Sequence, residues 1–155
     1  MELRLSKEDE IKNLTQISKA AFDTDINVGG DEVGGPPNYD SKAWHIRMMK
    51  SNNLYTLIVD ERVIGGIILF RDKREKNVMY VGRIFIDPQL HRKGYGIEAM
   101  KLIEKYFSDI HTWRLETPTW NIRTNQFYKK IGYKVMEKKG DSVYYQKIIQ
   151  TDNTL

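Results

Sequence analysis

The sequence predicts one α/β domain whose helices flank a mixed, mostly antiparallel sheet of six to seven strands. Three observations predict it. Strand-length apolar stretches interleave with four stretches of helical period, in the order β-α-α-β-β-β-α-β-α-β-β. Two pairs of strands are separated only by short turn sequences, Asp60-Glu61-Arg62 and Gly140-Asp141, which suits antiparallel hairpins. The chain has 155 residues, no internal repeat and no dividing linker, so residues 1–155 are read as a single domain.

Each element has its own signal. Glu2 to Leu5 reads as a short strand. Ser6-Lys-Glu-Asp9 resembles a capping box, and Ile11, Leu14, Ile17, Ala21 and Phe22 then fall on one helical face. Asp23 to Asp40 is a loop rich in glycine and proline, with five acids and no Lys or Arg. Loops this long in compact domains are usually functional or disordered. Ser41 to Lys50 predicts a second helix carrying Trp44, Met48 and Met49.

Leu54 to Val59 and Val63 to Arg71 form the first hairpin, and Gly65-Gly66 points to a bulge or a close backbone approach. A charged turn leads to the strand Val78 to Ile86. A helix follows from about Gly94 to Phe107, with Ile97, Met100, Ile103 and Phe107 inward. Thr112 to Thr117 is a strand and Asn121 to Ile131 a helix, closed by Gly132. Tyr133 to Lys139 and Val143 to Ile149 form the second hairpin, and Gln150 to Leu155 is expected to be a frayed tail. The final strands present an edge on which a homodimer can pair.

Composition narrows the function. The chain has no cysteine, which excludes disulfides, thiolate zinc sites and a cysteine nucleophile. His45, His91 and His111 are scattered without metal-ligand spacing, so no metal is expected. No apolar run reaches membrane-span length and the N-terminus lacks an apolar signal region, so a cytoplasmic location is the expectation. The net charge of +4 suits an anionic ligand. The basic residues are dispersed and no RNA-binding aromatic signature accompanies them, so no nucleic-acid partner is expected.

The most informative segment runs from Val78 through the helix after it. It reads as a buried strand, then a basic loop with His91, Arg92 and Lys93, then Gly94-Tyr95-Gly96 at a helix start. Glycines permit a tight turn there. The helix start offers unpaired N–H groups and the positive end of its dipole, and the basic side chains add charge. Such a segment cradles phosphate, here a pyrophosphate. A P-loop would need Gly-Lys-Ser/Thr, which is absent. Gly94-Tyr-Gly-Ile-Glu-Ala99 fits a dinucleotide fingerprint formally, with Glu116 twenty residues beyond Gly96. Yet seven residues, Asp87 to Lys93, separate strand from turn, and too little chain remains for a doubly wound sheet.

His91-Arg-Lys-Gly-Tyr-Gly96 resembles the acetyl-CoA pyrophosphate loop of the GNAT N-acetyltransferase superfamily, Gln/Arg-x-x-Gly-x-Gly/Ala after a strand. His91 stands where that family usually has Gln or Arg. Asn121-Ile-Arg-Thr-Asn-Gln-Phe-Tyr-Lys-Lys-Ile-Gly-Tyr133 resembles the family's following helix. Two motifs in the family's order are far more specific than either alone. The element order is also that of the GNAT fold.

The resemblance implies an acetyl-CoA-dependent acyltransferase acting on a primary amine. It implies that the Ile84, Phe85 and Ile86 backbone pairs with the pantetheine arm as an added strand would. It implies that His91, Arg92, Lys93, Gly94, Tyr95, Gly96 and Ile97 hold the pyrophosphate and that Asn121 hydrogen-bonds the pantetheine arm or the adenosine side of CoA. Tyr128 matches the helix tyrosine that protonates the leaving thiolate; a core role is its other reading. Glu116 resembles the strand-end glutamate that serves as base in ribosomal-protein alanine acetyltransferases. Its other reading is an exposed strand acid paired with Arg114. Asn121 also reads as a helix N-cap. Tyr39, in the acidic loop, is a candidate for lining the acceptor pocket.

Two rival functions compete. One is a module that senses acetyl-CoA without chemistry. The other is a nucleotide- or RNA-binding protein using its basic surface. The acceptor class stays open at this level: polyamine, aminoglycoside, amino acid and protein N-terminus all fit.

Overall fold

The computed structural model describes residues 1–149; the tail expected over Gln150 to Leu155 lies outside the described residues. Seven strands form one sheet: β1 (Glu2–Leu5), β2 (Leu54–Val59), β3 (Arg62–Arg71), β4 (Val78–Ile86), β5 (Thr112–Pro118), β6 (Lys134–Lys139) and β7 (Ser142–Ile148). Their spatial order is β1-β2-β3-β4-β5-β7-β6. Every neighbouring pair is antiparallel except β4 with β5. Helices α1 (Ile11–Asp23), α2 (Lys42–Lys50), α3 (Tyr95–Tyr106) and α4 (Ile122–Lys130) cover the two faces. The predicted mixed sheet and element order are what the structure shows, with boundaries moved by a residue or two.

Period-2 alternation decides which side each strand residue serves. Met79, Val81, Trp113, Leu115, Val143 and Tyr145 share one core with Ala99, Met100 and Ile103 of α3 and Tyr128 of α4. Leu54, Ile68 and Phe85 face the other way and pack under Ile11, Leu14 and Ile17 of α1, with Trp44 of α2 beside them. On that second face, β5 to β7 carry Arg114, Glu116, Tyr144 and Gln146, the alternates of the core residues.

Two local expectations shift. The capping pair is Lys7 and Glu10, not Ser6 and Asp9: the Lys7 N–H donates to Glu10 Oε1 at 2.8 Å, and Arg4 grips the same carboxylate at 2.7 and 2.8 Å. Ser6 instead shares a 2.7 Å hydrogen bond with Thr56 on β2. A cross-strand partner outcompetes the local cap. The first hairpin turns on Asp60 and Glu61 alone, both left-handed at φ 49° and 65°, so Arg62 joins β3. The bulge or close approach expected at Gly65-Gly66 is found: Ile64, next to Gly65, is the extra residue of the β2–β3 ladder, and a Cβ on Gly65 would collide with the Phe85 carbonyl.

The parallel pair is incomplete. β4 and β5 are paired only at Val78 with Thr112, Met79 with Trp113 and Tyr80 with Arg114. Beyond that point no pairing joins them among the described residues, so the second half of β4 faces a gap. A parallel pair that stops part-way leaves backbone N–H and C=O groups open to a ligand. β6 forms the far edge of the sheet, with all six residues exposed.

Candidate active site

The residues that the sequence singles out fall on β4, on the loop and helix start that follow it, on β5 and on α4, apart from Tyr39 in the loop after α1. The start of α3 comes first. Gly94 is the N-cap residue at φ +81°, a left-handed conformation that a side chain would strain. Arg92 is also left-handed, at φ 67°. The first intrahelical bond runs from Glu98 N to Gly94 O at 3.0 Å. The N–H groups of Tyr95, Gly96 and Ile97 therefore precede it, unclaimed by the helix. Gly96 has an ordinary helical backbone and lies close under the Phe127 ring, so only Gly94 of the two glycines makes the turn.

His91 departs from the expected basic role. Its ring turns back, and Nε2 lies 2.8 Å from the carbonyl oxygen of Ile86. A carbonyl only accepts, so Nε2 carries the proton. Burial pushes the imidazole below its usual value, which leaves it neutral at pH 7. Arg92 and Lys93 stay exposed and supply the loop's side-chain charge. His91 therefore ties the loop to the end of β4.

Ile84, Phe85 and Ile86 occupy the half of β4 beyond the last β5 pair. Phe85 and Ile86 are buried, on opposite faces, and Ile84 is half-buried. Their side chains anchor the strand while the backbone edge faces the gap.

Asn121 caps α4, and its Oδ1 accepts from Thr124 N at 3.0 Å. It is 2% exposed, and its backbone carbonyl accepts from Asn125 Nδ2 at 2.8 Å. The N-cap reading of Asn121 is thus realised. Tyr128 sits on the same helix among the rings of Phe127, Tyr133 and Tyr145, at centroid distances of 5.2, 5.8 and 6.0 Å. Burial drives its phenol well above the usual range. No hydrogen bond to its hydroxyl is found among the described residues. The ring belongs to the core, and the hydroxyl is uncommitted.

Glu116 stands on the opposite face of β5, directly across the ladder from Tyr144. It is exposed and lines an open cleft of about 670 Å³ where β4 and β5 part. The Arg114 partner that its bland reading supposes is engaged elsewhere: Nε donates to Gln146 Oε1 at 2.9 Å and Nη1 to the Tyr80 hydroxyl at 3.3 Å. The negative charge of Glu116 holds the Tyr144 phenol above its usual value. Glu116 and Tyr128 therefore lie on opposite faces of the sheet.

Tyr39 does not line this cleft. Its hydroxyl donates to Asp23 Oδ1 at 2.8 Å and its ring meets Phe22 edge-on at 6.2 Å, closing the end of α1. The acidic loop is partly structural as well. Asp25 is buried against Arg123 of α4 at 3.2 Å, and Asp23 pairs with Lys19 at 2.6 Å.

Sequence reasoning missed Phe70, Gly82, Met136 and Tyr144, which share the cleft with Glu116. Only the glycine inside the β4 strand pattern offered a signal, as a bulge marker.

Comparison with known proteins bears on the family and the fold. The acetyltransferase (GNAT) family description matches residues 14–133. The uncharacterized protein YrkN of Bacillus subtilis is 26% identical over 137 residues, spanning 87% of this chain and 74% of YrkN. Among solved structures, the PaiA N-acetyltransferase of Thermoplasma acidophilum, in complex with coenzyme A, has a TM-score of 0.74 at 22% identity, covering 96% of this chain and 98% of its own. A GNAT-family acetyltransferase of Streptococcus agalactiae has a TM-score of 0.82 at 17% identity, covering 97% and 96%.

Proposed function

This chain belongs to the GNAT acetyltransferase family, and from that premise we propose that it transfers an acetyl group from acetyl-CoA to a primary amine by direct attack. The observation that carries this reading is the parting of β4 and β5 beyond Tyr80 and Arg114, with the α3 cradle following β4 in the chain.

The residues present fit the donor. Unclaimed amides of Tyr95, Gly96 and Ile97, beside Arg92 and Lys93, suit a pyrophosphate, and Gly94 leaves room because nothing lies within 4 Å of where its Cβ would be. The backbone edge at Ile84, Phe85 and Ile86, apart from the Ile86 carbonyl that His91 takes, suits the amide-bearing pantetheine arm. His91 holds the Ile86 end of that edge, and Asn121 fixes the start of α4. Bound acetyl-CoA supplies the thioester carbonyl that the amine attacks and the thiolate that leaves.

Glu116 then receives the amine proton, through water, because an alkylamine is mostly protonated at neutral pH and must lose that proton to attack. Tyr128 gives its proton to the sulfur as the C–S bond breaks. Its dry surroundings raise the phenol, and they raise the proton affinity of a thiolate beside it in the same direction. With no cysteine in the chain, the most familiar acyl-enzyme route is absent. A cytoplasmic location belongs to the same reading.

The test is a calorimetric titration with acetyl-CoA, with NAD and ATP as controls, followed by turnover with a panel of primary amines. Micromolar binding of acetyl-CoA alone, with release of CoA thiol when an amine is added, is the expected result. Binding without turnover of any amine would favour the acetyl-CoA-sensing module. Binding of NAD instead would overturn the cradle reading.

A further inference from the structure

The acceptor's chemical class can be read from the cleft, taking the acetyltransfer reading above as given. Two bulges meet there. The β3–β4 ladder pairs Ile68 with Arg83 and Leu69 with Val81, so Gly82 is the extra residue. The β6–β7 ladder pairs Val135 with Tyr145 and Glu137 with Tyr144, so Met136 is the extra residue. A bulge re-aims side chains and recurs beside active sites.

At Gly82 the consequence is a missing side chain. A Cβ there would lie 2.6 Å from Cε2 of Phe70, so the Phe70 ring lies where that side chain would be. At Met136 the consequence is a projecting one. Met136 is 60% exposed, and Phe70 and Tyr144 are each 37% exposed. Three large apolar side chains, from β3, β6 and β7, thus line one cleft of about 670 Å³. Single exposed apolar residues need no explanation, but a convergent set marks a binding surface.

The charges decide what the surface takes. The ionised groups lining the cleft are Arg114 and Glu116. Arg114 keeps its charge but is held by the neutral oxygens of Gln146 and Tyr80 and makes no ion pair with Glu116. Glu116 has no cationic partner among the described residues. Glu137, opposite Tyr144, lies outside the lining. A polyamine would set further cations against Phe70 and Met136. An amino acid would bring its carboxylate toward Glu116.

We propose that the acceptor is a primary amine on an aromatic or similarly bulky apolar body, with its nitrogen at Glu116 and its body on Phe70, Met136 and Tyr144.

The experiment compares kcat/KM for 2-phenylethylamine, n-propylamine, spermidine and alanine at saturating acetyl-CoA. Phenylethylamine is expected to lead by about tenfold or more, the scale that a buried apolar group contributes to discrimination. Phe70→Ala and Met136→Ala should each lower its value about five- to tenfold through KM, with the KM for acetyl-CoA unmoved. Preference for spermidine or alanine, or variants that keep the parent preference, would overturn the inference. Equal turnover of all four amines would also overturn it, while leaving acetyltransfer intact. If no amine reacts, binding of phenylethylamine followed by NMR decides. Saturable binding weakened by Glu116→Gln and by Phe70→Ala supports the cleft, and no binding overturns it. Failure to bind acetyl-CoA would count against acetyltransfer alone.

Discussion

Asp25, in the loop after α1, is buried and pairs with the exposed Arg123 in the first turn of α4, Oδ1 to Nη2 at 3.2 Å. The same guanidinium group takes Thr24 Oγ1 at 2.8 Å. The acidic loop is therefore fastened to the helix that carries Asn121 and Tyr128. One of the five acids of that loop is thus a structural tie between the loop and α4.

Cutting that tie has a defined cost. Arg123→Met leaves the Asp25 carboxylate buried beside one lost partner, and should lower stability by about 1–3 kcal/mol in urea unfolding at pH 7. The pH dependence has a definite sign. Burial, only partly opposed by Arg123, raises the Asp25 carboxyl above its ordinary value of 3.8. The folded chain then holds this proton to higher pH than the unfolded chain does. Stability from this group falls as pH rises from 3.8 through the raised value. Asp25→Asn removes the effect, so the variant's stability relative to the parent should increase across that window. A flat difference would refute it.

Tyr128→Phe separates chemistry from packing. The ring fills the core while no partner for the hydroxyl is found among the described residues, so removing the oxygen should leave Tm within about a degree or two. If the hydroxyl protonates the thiolate, kcat should fall by about 100-fold with little change in the KM for acetyl-CoA. Full turnover at saturating substrate would end the acid role.

Glu116→Gln carries two readouts. The pH profile of kcat/KM should lose its acidic limb, with a loss of about 100-fold near neutrality. Tyr144 should report the same change independently. The charge of Glu116 raises that phenol, so in the variant its spectrophotometric titration should move down toward 10.0. An unchanged pH–rate profile would sink the base role even if Tyr144 moved.

Gly94→Ala tests the cradle. At φ +81° a Cβ strains the backbone by about 1–2 kcal/mol, although open space surrounds it. Acetyl-CoA affinity should fall about tenfold by calorimetry if the turn is distorted. A variant that loses stability but binds as tightly as the parent would place the pyrophosphate elsewhere.

Much of this was legible because the signals are local. The α3 cradle needs only a strand pattern, a glycine at a helix start and the helix period, all within twenty or so residues. Asn121 and Gly132 marked the two ends of α4 for the same reason. His91 was not legible in this way. Its charge looked available to a phosphate, but the carbonyl that claims it belongs to the end of β4. Tyr39 looked like a free aromatic beside two prolines, and only folding brought Asp23 and Phe22 to it.

The cleft shows the boundary most sharply. Phe70, Met136 and Tyr144 lie on three strands, and alternation alone gave no reason to connect them. Their meeting depends on which strands are neighbours and on where two ladders slip by one residue. By itself the sequence determined the element order, the cradle and the membership of the core faces, because propensity, period and turn chemistry act over a few residues. Only the tertiary structure decided that β4 and β5 part beyond Tyr80 and Arg114 and that Tyr128 packs against Tyr145 while Glu116 lies on the sheet's other face. It also decided that Arg114 is held by Gln146 and Tyr80. Register and the direction of a side chain are settled by long-range packing, where distant partners compete for the same hydrogen bonds and the same space.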